Sequence, residues 1–272
     1  MGVDGTFLGG PRREIFGATR SARAERTTVV ALLALSGAGW WWVVGRMRGM
    51  DAGPWTGLGA FGWFVGVWVV MMAAMMIPSA LPTVAVYARL TRDRSPVSAL
   101  LFALGYLAVW AASGLSAYAA AALAGRAAGN VLAWDRGGRW AAGATLLVAA
   151  AYQLTPLKDA CLGKCRAPLA FLLGSWRPGP AGALRMGLES GLWCAGCCWA
   201  LMASLFALGI MSITWMAVVA AIVAVEKLLP LRRLGSWSTA SLLVVLGVLV
   251  LVAPHEVPGL TVPAAHMKRM GM

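Results

Sequence analysis

The chain contains seven long apolar segments, separated by short stretches that carry most of its charged residues. A helix needs about 20 mainly apolar residues to cross the hydrocarbon core of a bilayer. The segments lie at residues 28–45, 61–88, 97–124, 139–156, 182–209, 212–229 and 238–253. The sequence therefore predicts an all-α polytopic membrane protein, with about seven transmembrane helices in one bundle.

Composition supports a membrane class. Of the 272 residues, 60% are apolar and 12% are charged, whereas ordinary soluble domains carry about 25% charged residues. This difference excludes an ordinary soluble enzyme. We divide the chain into a basic cytoplasmic tail at residues 1–27, a transmembrane bundle at 28–253 and a C-terminal tail at 254–272.

The net charge of +13 raises the question of nucleic-acid binding. The basic residues form short clusters between apolar segments, which is typical of a polytopic membrane protein rather than of a nucleic-acid-binding face. The sequence also lacks a phosphate-binding P-loop and a dinucleotide-binding glycine motif. The expected partner is therefore the lipid bilayer, and neither nucleic acid nor nucleotide is expected.

The distribution of Lys and Arg predicts the orientation. With the N-terminus inside, 15 of these residues lie in inner segments and 7 lie in outer segments. Positive charges accumulate on the cytoplasmic side of membrane proteins. We therefore expect a multi-pass protein of the inner (plasma) membrane with seven spans and an inside N-terminus, although six spans would also be compatible with this count.

All five cysteines fall into two groups. Cys194, Cys197 and Cys198 lie near the middle of the fifth apolar segment, and at about 100° per residue their side chains share one face of a helix. Cys161 and Cys165 follow the fourth segment, and their i, i+4 spacing aligns them if that stretch is helical. Three thiols on one helical turn are compatible with a soft ion such as Cu(I) or Zn(II). A C-x-x-C pair also suits redox chemistry, and cysteines often simply pack in cores.

A methionine-rich face in the second segment adds to this pattern. It comprises Met71 with Met72, Met75 and Met76. Thioethers select Cu(I), so these methionines are candidate partners of the cysteine cluster. The alternative is that they fill gaps between apolar helices.

Two acidic residues lie within the apolar segments or at their ends, and each has a basic residue nearby. Arg185 and Glu189 are four residues apart in the fifth segment and can pair along one helix face. Glu226 adjoins Lys227 near the end of the sixth segment. Charged residues inside a membrane are costly, so each is either part of a site or part of a structural ion pair.

Four stretches resemble the DUF2182 family of bacterial integral membrane proteins, whose members are described as predicted metal-binding. They are MMAAMMIPS at residues 71–79, CLGKCRAPL at 161–169, the signature segment at 182–202 and Glu226–Lys227. In that family a His often occupies the position of Ser190. The resemblance implies metal binding, with a different residue here at one candidate ligand position.

The leading hypothesis is a membrane protein that binds a soft metal ion, with Cu(I) as the first candidate and Zn(II) as the second, for metal handling or transport. Its ligands would be Cys194, Cys197 and Cys198, and Met72, Met75 and Met76 would be partners. Cys161 and Cys165 would form a cytoplasmic hand-off pair toward a metal donor or acceptor protein. The alternatives are a membrane thiol–disulfide oxidoreductase using Cys194 and Cys197, and a non-catalytic subunit whose cysteines are structural. An enzyme is the less favoured class.

Overall fold

A computed structural model describes residues 12–47, 61–91, 96–128, 137–209, 212–229, 232–257 and 260. Within these residues the secondary structure is helical. The helices are α1 (Arg12–Met47), α2 (Phe61–Leu90), α3 (Pro96–Ala128), α4 (Arg139–Gln153), α5 (Pro156–Arg166), α6 (Pro168–Gly174), α7 (Gly179–Leu208), α8 (Ile213–Leu228) and α9 (Arg232–Val252). A single 3-10 turn follows at Pro254–Glu256.

Each of the seven predicted segments coincides with a helix. Among the described residues, five helices are long and apolar enough to cross a membrane, and they are α1, α2, α3, α7 and α9. Helices α4 and α8 have 15 and 16 residues, below the roughly 20 that a perpendicular crossing needs. The all-helical membrane-type fold is confirmed, whereas the count of seven spans is not.

Two short helices between α4 and α7 bring the first cysteine pair into the bundle. Thr155 caps α5 by accepting a hydrogen bond from the backbone nitrogen of Lys158 at 3.3 Å. Pro156 and Pro168 stand at the first turns of α5 and α6, where the missing N–H is not needed. Helix α5 packs against α7 and α8, so the stretch that carries Cys161 and Cys165 is a packed helix.

Helices α3 and α7 approach each other closely because glycines face their contact. A Cβ atom at Gly105 would meet the carbonyl oxygen of Leu184, and one at Gly187 would meet that of Phe102. Small residues allow this kind of backbone approach between membrane helices. The contact sets the depth of α7, and therefore the position of its cysteines, relative to α3.

Helix α2 supplies the facing wall of the core. It runs without interruption through Pro78 and Pro82. Its methionines are fully buried, and they belong to the same apolar core as the cysteines of α7. The cysteines of α7 and the methionines of α2 therefore lie in one core, against which Cys161 and Cys165 of α5 also pack.

Candidate metal centre

The cysteines of α7 lie at the centre of the core. Cys194, Cys197 and Cys198 are each at most 3% exposed. Gly196 lies between them, and the Cys161 thiol packs against it. A Cβ atom at position 196 would be 2.8 Å from Cys161 Sγ, so a larger residue would not fit there without a shift. The C-A-G-C-C sequence thus presents thiols to the core and leaves room for a further thiol from α5.

One pair of neighbouring thiols joins α5 and α7. Cys165 Sγ lies 3.9 Å from Cys197 Sγ. With metal–sulfur bonds of about 2.3 Å, two thiolates are about 3.8 Å apart on a tetrahedral ion and about 4.6 Å apart on a linear one. The observed separation falls between these values, so one ion can bridge the two sulfurs with little movement.

Cys194 lies in a polar environment. Its Sγ is 2.9 Å from Lys227 Nζ, which donates to it, and 3.0 Å from the Tyr106 hydroxyl. Lys227 also donates to Ser79 Oγ at 3.2 Å. The Lys227 side chain is buried, and burying an ammonium group is costly unless an anionic or strongly polar partner compensates. A thiolate at Cys194 would supply that partner.

The remaining α7 thiols turn back toward their own helix. Cys197 Sγ and Cys198 Sγ donate to the carbonyl oxygen of Cys194 at 3.1 and 2.9 Å. In the part of the chain that the structure describes, no three His, Cys, Asp or Glu side chains converge as a ready-made metal-binding group. A third ligand therefore requires the side chain of a further cysteine to rotate.

A small inner cavity adjoins the cysteines. Its volume is about 20 Å³, room for a water-sized group. Cys165, Cys194, Lys227 and Ser190 are among its lining residues. Ser190 thus faces the same space as two of the thiols.

Glu226 belongs to a buried ion pair that the sequence did not reveal. Its carboxylate accepts hydrogen bonds of 2.8 and 2.7 Å from Lys158 Nζ, and its carbonyl oxygen accepts from Arg166. Lys158 is fully buried, although we counted it among the inner loop charges. The pair fastens α5 to α8, which also carries Lys227.

Glu189 forms ion pairs with two arginines, one of them the Arg185 partner that the sequence spacing predicted. Its carboxylate is 3.5 Å from Arg185 and 3.5 Å from Arg177, and all three side chains are partly exposed. It lines an open groove together with Cys161. Burial raises the pKa of the Cys161 thiol, and the neighbouring Cys197 raises it further.

A known protein family matches most of the chain. A family model named PpoB2 and described as a copper chaperone matches residues 65–250, well over half of the chain. The match extends from α2 into α9, so it includes all five cysteines and the methionine-rich face. No curated protein and no solved structure matches the chain.

Proposed function

The chain belongs to the PpoB2 family of copper chaperones, and on that premise we propose that it binds Cu(I) inside its helical bundle for delivery to another protein. The match and the clustered cysteines fit copper handling. Our proposal goes further, because it names the ion as Cu(I), the ligands as thiolates and the task as delivery rather than storage.

The observation that carries the proposal is the 3.9 Å separation of the Cys165 and Cys197 sulfurs. Soft thiolate ligands select Cu(I). Because Cys165 comes from α5 and Cys197 from α7, a bound ion would join two helices. We assign these two residues as the first ligand pair, which gives Cys165 a role in the site itself.

Further ligands are available around this pair. Cys194 and Cys198 lie within one helical turn of Cys197, and either would complete a three-thiolate site after rotation of its side chain. Met72, Met75 and Met76 stay in the proposal as thioether candidates, because they are buried in the same core. Zn(II), which favours four ligands, has a less complete set here.

Charge balance supports a site of this composition. One Cu(I) with three thiolates carries two net negative charges, which would be costly in an apolar interior. The Lys227 ammonium, 2.9 Å from Cys194 Sγ, offsets one of them. We propose Lys227 as the counter-ion of the copper–thiolate centre.

We also propose the membrane setting. The protein would lie in the inner membrane of a bacterial cell with seven crossings, with α4 and α8 as the two short ones. Its N-terminus would be inside, and the copper donor and acceptor would be proteins. The distribution of basic residues and the five long apolar helices support this arrangement.

Cu(I) titration of the protein in mild detergent tests the proposal. The wild type should take up one Cu(I) in competition with a chromogenic chelator, and Cys165→Ser or Cys197→Ser should each lose most of that binding. Cys161→Ser is the matched control on α5 and should retain it. Uptake that is unchanged in the Cys165/Cys197 double variant would contradict the assignment.

A thiol–disulfide oxidoreductase is the second candidate, and the same sulfur pair favours it. A disulfide requires sulfurs at about 2.05 Å, so the two sulfurs would have to approach each other by about 2 Å from their 3.9 Å separation. The pair that could close is then Cys165–Cys197, whereas the sequence suggested Cys194–Cys197. Recovery of this pair as a stable disulfide from cells, combined with absence of copper binding, would favour the enzyme.

A further inference from the structure

An open groove and the inner cavity share part of their lining. The groove, which we call the outer groove, has a volume of about 580 Å³ and lies between α5, α6 and α7. Lys164, Phe171 and Trp193 line both the outer groove and the inner cavity. The Lys164 ammonium lies 5.9 Å from the centre of a Trp193 ring, within cation–π range.

The two compartments hold different members of the α5 cysteine pair. Cys161 lines the outer groove and Cys165 lines the inner cavity. They are one helical turn apart, a rise of about 6 Å along α5. The outer groove also contains Glu189, whose carboxylate is paired with Arg177 and Arg185.

From this arrangement we propose that the outer groove is the entry route for Cu(I), and that Lys164 and Trp193 form the constriction the ion must pass. This inference rests on the proposed function. Cys161 is the first acceptor thiol, and Cys165 receives the ion on the other side of the constriction. Movement of Lys164 off the Trp193 ring opens the route, since both side chains have exposed surfaces into which they can move.

The transfer is a ligand exchange that leaves copper as Cu(I). A Cu–S bond to Cys165 forms as the Cu–S bond to Cys161 breaks. The proton that Cys165 loses on coordination is matched by the proton that Cys161 regains on release. No electron is transferred, so the route needs no oxidant or reductant.

Transfer kinetics test the route with a filled-groove variant. Ala170 lines the outer groove, whereas Leu173 on the same helix is 62% exposed and is not among the groove's lining residues. Ala170→Trp should slow Cu(I) transfer from a bathocuproine disulfonate complex by about tenfold, the effect of about 1.4 kcal/mol in a barrier. Leu173→Trp should transfer at the wild-type rate.

Two further variants address the constriction and the first thiol. Trp193→Ala should accelerate transfer, with Trp199→Ala, another partly exposed Trp of α7, as its control. Cys161→Ser should slow transfer while the amount of Cu(I) bound at equilibrium stays the same. Both effects concern rate, so they are separable from the loss of capacity expected for Cys165→Ser.

The outcomes separate the route from the function. If the wild type binds Cu(I) and all of these variants transfer at its rate, the route is wrong and the copper site stands. If Ala170→Trp and Leu173→Trp slow transfer equally, the groove is again not the route. If the wild type binds no Cu(I), the proposed function fails and the route fails with it.

Discussion

Lys227 places an ammonium group 2.9 Å from the Cys194 sulfur and 3.2 Å from the Ser79 hydroxyl, inside the bundle. Lys227→Met should therefore weaken Cu(I) binding by about ten- to a hundredfold, the range of a hydrogen bond to a charged group. Lys227→Arg keeps the charge and should retain most of the affinity. Competition titrations at one pH measure the Cu(I) affinity of both variants. Equal affinity in Lys227→Met and wild type would show that Lys227 is not the counter-ion of the site.

Ser190 supports a second prediction at the level of single residues. It lines the inner cavity together with Cys165 and Cys194, but a hydroxyl is a poor ligand for a soft ion. Ser190→His should tighten metal binding or shift preference toward Zn(II), which favours four nitrogen or sulfur ligands. The ratio of Zn(II) to Cu(I) bound measures the shift, and an unchanged ratio and affinity would show that position 190 does not reach the ion.

Between elements, the contact of α3 with α7 depends on glycine. A side chain at Gly105 would meet backbone atoms of Leu184, which cannot move without displacing α7, whereas one at Gly125 would meet open space. Gly105→Ala should therefore destabilise the protein by about 1–3 kcal/mol, as overpacking does. Gly125→Ala should be neutral or slightly stabilising. Unfolding followed by Trp fluorescence in detergent compares them, and equal midpoints would argue against the tight contact.

The sequence predicted the positions of the long helices correctly, because a long apolar run is enough to identify such a helix. These runs also locate the helices that are apolar enough to cross a bilayer. The pairing of Lys158 with Glu226 was not predictable, because the residues are 68 positions apart and no local pattern connects them. The contact of Cys165 with Cys197 was not predictable for the same reason, since these residues are 32 positions apart. In both cases the missing information was how α5 packs, which hydropathy does not encode.

At the scale of the whole molecule, the Lys158–Glu226 pair ties α5 to α8 in the interior. Glu226→Gln leaves the Lys158 charge without its partner and should destabilise the protein by about 3–5 kcal/mol. Because α5 carries Cys165, copper binding should weaken with it. The double variant Lys158→Met/Glu226→Leu should recover much of the stability, as buried pairs replaced by apolar residues often do. Thermal unfolding in detergent compares the melting temperatures. A double variant that melts no higher than Glu226→Gln would contradict this prediction.

The topology of the whole chain is the last prediction. Lys158 and Lys227 are buried, so they do not act as loop charges, and the count of 15 against 7 becomes 13 against 7 without changing sign. With seven crossings, Arg177 lies on the same side as Gly5 and opposite Lys268. With only the five long helices crossing, Arg177 lies opposite Gly5 and on the side of Lys268. Alkaline phosphatase and green fluorescent protein fusions at these three positions report the side directly. We expect Arg177 to be inside with Gly5, and an outside signal at Arg177 would leave α4 and α8 as helices that do not cross.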